Sequence, residues 1–381
     1  MNQSAFPTWP VYAEDERKAV DRVLQSGNSN YWTGEEGKLF EQEFAAWCGV
    51  THALCVCNGT IALELALRGC GIGRGDEVIV TPRSFLASAT AIVAVGAIPV
   101  FADVALHSGN ITVETISNVT TEKTRGIIAV HIGGWPVEMP AIMEFVKGKN
   151  IKVIEDCAQA HGASIHGQKV GTFGHASAFS FCQDKIISTG GEGGMVVTND
   201  QAIRDTVWSL RDFGRDREAF LSNDHPPGFR WLQHQFGTNA RMTEMQAAIG
   251  RCQLQKVDGW VALRNQNASA IEEQLQQLGG VTALVVPKHM NHAYYRVALL
   301  VDDEQQRNRM LAALNECGIA ATVGPCPEIY REPAFAGAGF VPPSRLPVAE
   351  ELGRRTLSLP TYPGIERAID CISLVNCQDL P

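Results

Sequence analysis

Seven short apolar runs recur through the first 200 residues of this 381-residue chain, most of them followed by a helix-like segment. They are ALCVC (53–57), EVIV, PVFADV, GIIAV, KVIED, SAFSF and GGMVVTN, each too short for a typical helix and each bounded by polar or glycine-containing turns. The first is followed by IALELALRGC, where Ile61, Leu63, Leu65 and Leu67 predict a helix that is apolar on most faces. Repeated strand–helix–strand units specify an α/β fold with a large, mostly parallel sheet covered on both faces. Functional groups then belong at the carboxyl ends of the strands, where the loops open into a crevice.

After Asp200 the pattern changes. Helical periodicity from about Thr243 to Leu278 reads as one long connecting helix, and YYRVALLV with the segments after it reads as a smaller α+β unit. We therefore expect a large domain over residues 1–245 and a small C-terminal domain over 246–381. The loop NDHPPGFRWLQHQ (223–235) is rich in Pro, Gly and aromatics, which suits a structured excursion.

Charge and cysteine content exclude several classes. The formal net charge is −9 and no basic run is present, which argues against nucleic acid or an anionic membrane as the partner. No apolar stretch reaches the ~20 residues of a membrane span, and the start, MNQSAFPTWPVYAEDERKAV, does not read as a signal peptide, so a soluble, cytoplasmic protein is expected. The 11 cysteines form no CxxC pair; free thiols are expected rather than disulfides or a metal site.

Dinucleotide chemistry is also disfavoured. The turn after the first strand, CNGTIAL, lacks the later glycines of GxGxxG, and no GxxxxGK[ST] occurs. CNGT instead places Gly59 and Thr60 at a strand-to-helix junction, where free N–H groups favour a phosphate monoester, although Asn58 can equally act as a helix cap. VIEDCAQAHGA puts Asp156 at the end of a buried strand, with Gln159 three residues on. A buried carboxylate needs a cationic partner, and a protonated pyridine nitrogen is one. An Asp that keeps this ring charged turns pyridoxal 5'-phosphate into an electron sink. In FSFCQDKIISTGGEGG, Lys185 then has a purpose, since its amine can form a Schiff base with the cofactor aldehyde, and the glycines after it let backbone approach closely.

With these residues in place the chain resembles the DegT/DnrJ/EryC1/StrS sugar aminotransferase family, which has the aspartate-aminotransferase-like type I pyridoxal-phosphate fold. The resemblance runs nearly end to end, through SGNSNYWTGEEGKLFEQEFAAWCGV, NGTIALELAL, TPRSFLASATAIVAVGAIPVFADV, IEDCAQAHGA, the lysine segment, FGTNARMTEMQAAIG and LSLPTYPG. It implies that Lys185 is the catalytic, cofactor-bearing lysine, that Asp156 partners the pyridine nitrogen, and that Gln159 packs near the ring and its phenolic oxygen. Gly59, Thr60 and Ser180 resemble the phosphate cradle, and Phe85 the aromatic ring over the cofactor, although PRSF is one residue shorter than the usual loop. Asn239 in GTNAR is similar to the asparagine that reaches the neighbouring subunit's phosphate, implying a homodimer with shared active sites and an N-terminal segment that can pack on the small domain. Thr33, Gly34, Arg83, His161, His292, Tyr294 and Arg331 are candidates to approach substrate; each also has an ordinary structural reading.

Family members with histidine at the lysine position resemble sugar 3-dehydratases. Lysine there implies transamination, with glutamate as amino donor, a keto or aldehyde sugar as acceptor, and ping-pong kinetics. FCQDK, GTNAR and GPCPEIYRE depart from the commoner family forms at the substrate side. GGWPVEM, HPPGFRW and PEIYRE are similar to aminotransferases acting on the 8-oxo form of the octulosonic acid Kdo. A nucleotide-linked 4-keto-6-deoxyhexose is the alternative acceptor, and a non-catalytic cofactor-binding protein or a cofactor-free binding module is the alternative class. Both acceptors belong to surface-polysaccharide or lipopolysaccharide assembly.

Overall fold

The computed structural model describes residues 8–222, 224–277, 279–370 and 372. The expected runs become a seven-stranded sheet of β1 (His52–Val56), β2 (Glu77–Val80), β3 (Ile98–Phe101), β4 (Thr124–Val130), β5 (Lys152–Asp156), β8 (Ala176–Ser180) and β9 (Gly194–Thr198). Two short strands, β6 (Ser164–Ile165) and β7 (Gln168–Lys169), lie between β5 and β8 in sequence. The order across the large sheet is β1-β9-β8-β5-β4-β2-β3, and only β9 runs antiparallel to its neighbours. Strands buried on both faces explain why their sequences read as continuous apolar runs rather than alternations. β4, β5 and β8 pair in register at Val130, Asp156 and Ala178, so one carboxylate emerges at the carboxyl edge of the sheet's centre.

The long helix expected over 243–278 is two helices, Glu244–Leu254 and Val257–Gln276; Leu278 lies outside the described residues. Thr243 and Gln246 cap the first reciprocally, a signal visible in the sequence. The break at Gln255–Lys256 was not visible there. Lys256 N donates to Gln253 O (3.0 Å), a three-residue step that tightens the turn, while the Lys256 ammonium is held by Asp15 and Glu16 at 2.7 and 2.6 Å. The first of these helices packs on helices Glu14–Ser26 and Glu36–Cys48 of the large unit, and the second leads to the smaller one.

That smaller unit contains an antiparallel sheet of β10 (Val281–Ala283), β12 (Arg296–Val301) and β13 (Thr356–Pro360), with a core of Leu299, Val301, Leu314, Leu357 and Leu359. It is tied back to the large unit by β11 (Met290–Asn291), which pairs with β6, and by a bridge between Ser84 and Cys326. Trp9 packs on Trp260 and Tyr362 (ring centroids 4.9 and 6.3 Å), and its indole N–H donates to Lys185 O at 2.7 Å. The N-terminal segment thus touches both the helix of the smaller unit and the lysine loop. No helix among the described residues is long and apolar enough to cross a membrane.

Candidate active site

Two cavities of about 360 and 490 Å³ meet at Lys185. Ser84, Phe85, Gln159, Asp184 and Lys185 line both; the smaller lies over the strand ends of the large sheet and the larger lies between the two units.

The smaller cavity begins at the turn after β1. Asn58 is extended and its side chain accepts from Ile61 N at 2.9 Å, so it does cap the following helix, Gly59–Gly69. The cap and the phosphate site are compatible, because Asn58 uses the third amide and the N–H groups of Gly59 and Thr60 precede it. Glycine is required at 59 by close packing: a Cβ there would lie 2.6 Å from the Cβ of Ser180. Ser180 accepts from Cys182 N at 3.3 Å and, with Gly59 and Thr60, lines one end of the cavity.

Asp156 lies at the other end. Its carboxylate accepts from Ser88 Oγ (2.7 Å) and Ala158 N (3.1 Å), and Ser88 exchanges a 2.8 Å bond with Ser84. Burial raises its pKa against the opposing influence of these bonds, and no cation pairs with it among the described residues. Such a group needs a cationic partner. Ser88 and Ser84 escaped the sequence reading; their only signal was a four-residue spacing in RSFLAS, which places both on the face turned to Asp156. Gln159 Oε1 accepts from Gly133 N at 2.7 Å, which orients its amide along the shared wall. Phe85 is 67% exposed at the rim of both cavities, not packed in the core.

Lys185 closes the junction. Its side chain is 12% exposed, with Nζ 3.5 Å from Asp184 Oδ1 and 4.9 Å from the centre of the Tyr295 ring. The larger cavity beyond it is lined by Arg83, Trp135, His292, Tyr294, Tyr295 and Arg296, among others. Arg83 is buried; Nη2 donates to Thr356 Oγ1 at 3.3 Å, while Nε and Nη1 have no hydrogen-bond partner and no carboxylate pairs with the group among the described residues. Burial lowers its pKa to about 10. Arg296 likewise pairs with no carboxylate among the described residues: Nε donates to Ser358 Oγ (3.2 Å) and Nη2 to Ala320 O (2.8 Å).

Other expected substrate contacts lie elsewhere. His161 is buried between Phe179 and Phe181, at 5.4 and 5.7 Å between centroids, lines neither cavity, and has its pKa lowered to about 3 by burial and then by the Lys185 charge. Arg331 is 61% exposed and held by Glu328 at 3.2 Å, because the one-turn helix Ile329–Arg331 faces it away from the cavity. Thr33 is exposed, bonded to Asn30 O, and outside both cavities; Gly34 packs on Glu244, where a Cβ would meet the carboxylate. Asn239 is exposed and lines neither cavity of its own chain.

A lysine, a buried carboxylate awaiting a cation and a glycine-built anion cradle around one cavity define a type I pyridoxal-phosphate enzyme. The residues fit the cofactor: Asp156 would hold the pyridine nitrogen, Gly59, Thr60 and Ser180 the phosphate, and Lys185 the aldehyde carbon. The chain belongs to the DegT/DnrJ/EryC1/StrS aminotransferase family, whose model matches residues 10–371. It is 36% identical to the dTDP-3-amino-3,4,6-trideoxy-alpha-D-glucose transaminase of Streptomyces venezuelae, over 92% of this chain and 87% of that protein. It is 34% identical to the GDP-perosamine synthase of Escherichia coli O157:H7, over 93% and 94% of the two chains. The X-ray structure of an aminotransferase from Psychrobacter cryohalolentis superposes with a TM-score of 0.93 at 44% identity, covering 97% of each chain. The protein is accordingly an aminotransferase, and the residues around Lys185 fit pyridoxal 5'-phosphate as its cofactor.

Proposed function

We propose that this enzyme moves the amino group of L-glutamate to the carbonyl of an acidic sugar used in surface-polysaccharide or lipopolysaccharide assembly, the favoured acceptor being 8-oxo-Kdo, which gives 8-amino-3,8-dideoxy-octulosonate. The observation that carries the acidic acceptor is Arg83. A buried guanidinium with two nitrogens unpartnered is unfavourable by itself, and the carboxylate of a bound sugar acid would supply a bidentate partner. Arg296 adds a second cation to the same cavity.

When bound, the cofactor supplies an electron sink that stabilises negative charge on the donor's α carbon. Asp156 would hold the ring nitrogen in its protonated form, since its buried carboxylate has no paired cation among the described residues. Lys185, at the junction of the cavities, accepts the α-carbon proton on Nζ and returns it on the cofactor side. Phe85 stands at the rim of both cavities and the Tyr295 ring lies beside Lys185 in the larger one. The aromatic loop around Phe229, Trp231 and Phe236, the last two 85% and 95% exposed, lies near Asn239 in sequence and supports a homodimer in which Asn239 reaches the partner's phosphate site.

Assays with glutamate and each acceptor, read by product mass, test the proposal. The 8-oxo octulosonate should be aminated with the higher kcat/KM, and Lys185→Ala should give no multiple turnover. Amination of a nucleotide-linked 4-keto-6-deoxyhexose alone would sink the acidic acceptor. That second reading is supported by the relatives named for dTDP- and GDP-linked sugars. A lysine at 185 disfavours a dehydratase, and amine exchange with glutamate would exclude a non-catalytic cofactor-binding protein.

A further inference from the structure

Asp184 immediately precedes Lys185 and lines both cavities with it. Its two carboxylate oxygens are divided between two partners. Oδ1 faces Lys185 Nζ at 3.5 Å, and Oδ2 accepts a hydrogen bond from the Tyr295 hydroxyl. Tyr295 comes from the other unit, just before β12, and its ring centre is 4.9 Å from the same Nζ. The lysine amine is therefore held between a carboxylate from its own loop and an aromatic face from across the cavity.

Several contacts fix that arrangement. Arg264 Nη1 donates to Tyr295 O at 3.2 Å, and Thr361 Oγ1 donates to the adjacent Tyr294 O, which anchors the Tyr295 backbone. The lysine backbone is anchored in turn by Lys185 N to Cys182 O (3.1 Å) and by the Trp9 indole on Lys185 O. Asp184 itself is 62% exposed on the side chain, into the cavity that receives substrate. An isolated ion pair so open to water is weak, so its value here is geometric and local. Burial would raise the Asp184 pKa, but the Lys185 charge and the Tyr295 hydroxyl outweigh it and keep the carboxylate ionised.

The geometry points to Asp184, clamped by Tyr295, as a positioning residue that steers the Lys185 amine between the two cavities and supplies its counter-charge in each half-reaction. Resting on Lys185 as the cofactor-bearing lysine, this role does not depend on which sugar is aminated. While Lys185 carries the cofactor, the carboxylate favours the protonated form of the linking nitrogen. Once the donor has displaced the lysine, the Nζ amine gains a proton from the donor's α carbon, and Asp184 holds the resulting ammonium in reach until the proton is returned. Other groups around the amine are Asp156 from β5, the Cys182 thiol on the lysine loop, the His161 ring kept neutral beneath it, and, about Tyr295, the cations Arg264 and Arg296. None of these is removed by changing Asp184, so their influence is constant across the variants.

The test is a pH titration of the visible absorption band of the purified, cofactor-loaded enzyme, with a stopped-flow measurement of its decay on adding glutamate. A unit charge at 3.5 Å in a water-like environment corresponds to about one pH unit. Asp184→Asn should lower the midpoint by about that much and slow the glutamate half-reaction by about tenfold, with the melting temperature within a few degrees of the parent. Tyr295→Phe keeps the carboxylate charge, so it should leave the midpoint in place or raise it while still slowing the half-reaction. An Asp184→Asn enzyme with the parent's midpoint and half-reaction rate overturns the proposal. So does an equal downward shift in both variants, which would mark a general loosening of the site. A normal midpoint shift combined with failure to aminate 8-oxo-Kdo would overturn only the acceptor assignment.

Discussion

Adjacent residues on β5 put two buried carboxylates on opposite faces of one sheet, and they are treated in opposite ways. Glu155 points to the back, where it accepts from the N–H groups of Gly171, Phe173 and Gly174 and from Ser177, and pairs with His131 at 3.1 Å. Burial alone would raise its pKa, yet the His131 bond and charge and these amides carry it below the ordinary value. Asp156 points to the front with two bonds, and its pKa is raised. The arginines repeat the division. Arg211 is paired with Glu41 and also donates to Cys55 O and the Tyr31 hydroxyl, whereas Arg83 has no carboxylate partner among the described residues and is left with two unpartnered nitrogens at a cavity. Charges paired within the protein fix the scaffold, and a buried charge that lacks its counter-charge at the wall of a cavity marks where a ligand can complete it. His131, Glu155 and Cys157 bring donor atoms within 4.8 Å of one another, as a metal site would, but the Glu155 oxygens are already occupied and all three residues lie in the closed back face.

The contrast is broken most sharply by exchanging the two carboxylates for amides. Asp156→Asn should lower kcat for glutamate exchange by about 10²- to 10³-fold, since a developing charge loses its fixed counter-charge, with little loss of stability in a urea titration. Glu155→Gln should do the reverse: it unbalances a closed network and costs about 3 kcal/mol in the same titration, while the activity of the molecules that remain folded is kept. Equal losses of stability in the two variants would dissolve the distinction. The arginine pair gives the next largest effect. Arg83→Met should raise KM for the sugar acceptor by about tenfold or more and leave stability unchanged or improved, whereas Arg211→Met should destabilise by about 3 kcal/mol because the partly buried Glu41 loses its cation and the Tyr31 hydroxyl and Cys55 O lose a donor. Gly59→Ala is milder: its Cβ pushes on Ser180, and cofactor affinity by equilibrium dialysis should fall by about tenfold.

What could be read from sequence follows the same division. Strand ends project groups into a crevice in any doubly covered parallel sheet, so Asp156 and the turn at Gly59 were legible, and Lys185 stood out as a cation beside glycines. The partners of those groups were harder to see, because they come from distant segments: Ser88 lies 68 residues before Asp156, and Tyr295 lies 111 residues after Asp184. Residues whose role depends on the direction of one short turn were misjudged. Arg331 is exposed because Glu328, three residues earlier on the same turn, captures it. Lys256, at the helix break, is held by Asp15 and Glu16, some 240 residues away, and no periodicity could show those contacts. His161 is a candidate to approach substrate in the sequence, with an ordinary structural reading beside it, and its buried ring lies between Phe179 and Phe181.

His161 offers the smallest and most specific test, because it is a back-face group left unsatisfied. Neither ring nitrogen has a hydrogen-bond partner among the described residues, and its pKa is lowered to about 3, chiefly by burial. The folded protein therefore keeps this ring neutral, while the unfolded chain takes up a proton near pH 6.5. Stability from the neutral ring is fully present above that value and is lost as pH falls from 6.5 towards 3, by about 1.4 kcal/mol per unit for one such group. His292, also lowered to about 3 by burial, adds a second loss of the same sign. His161→Leu removes one of the two and keeps a similar volume against Phe179 and Phe181. Urea midpoints converted to free energies at pH 8 and pH 5 separate packing, which acts equally at both, from titration, which acts only at the lower. The variant should gain about 2 kcal/mol on the parent between pH 8 and pH 5. A gain of zero would mean that His161 is protonated in the folded enzyme, and so that water or a bound anion reaches the space beneath Lys185.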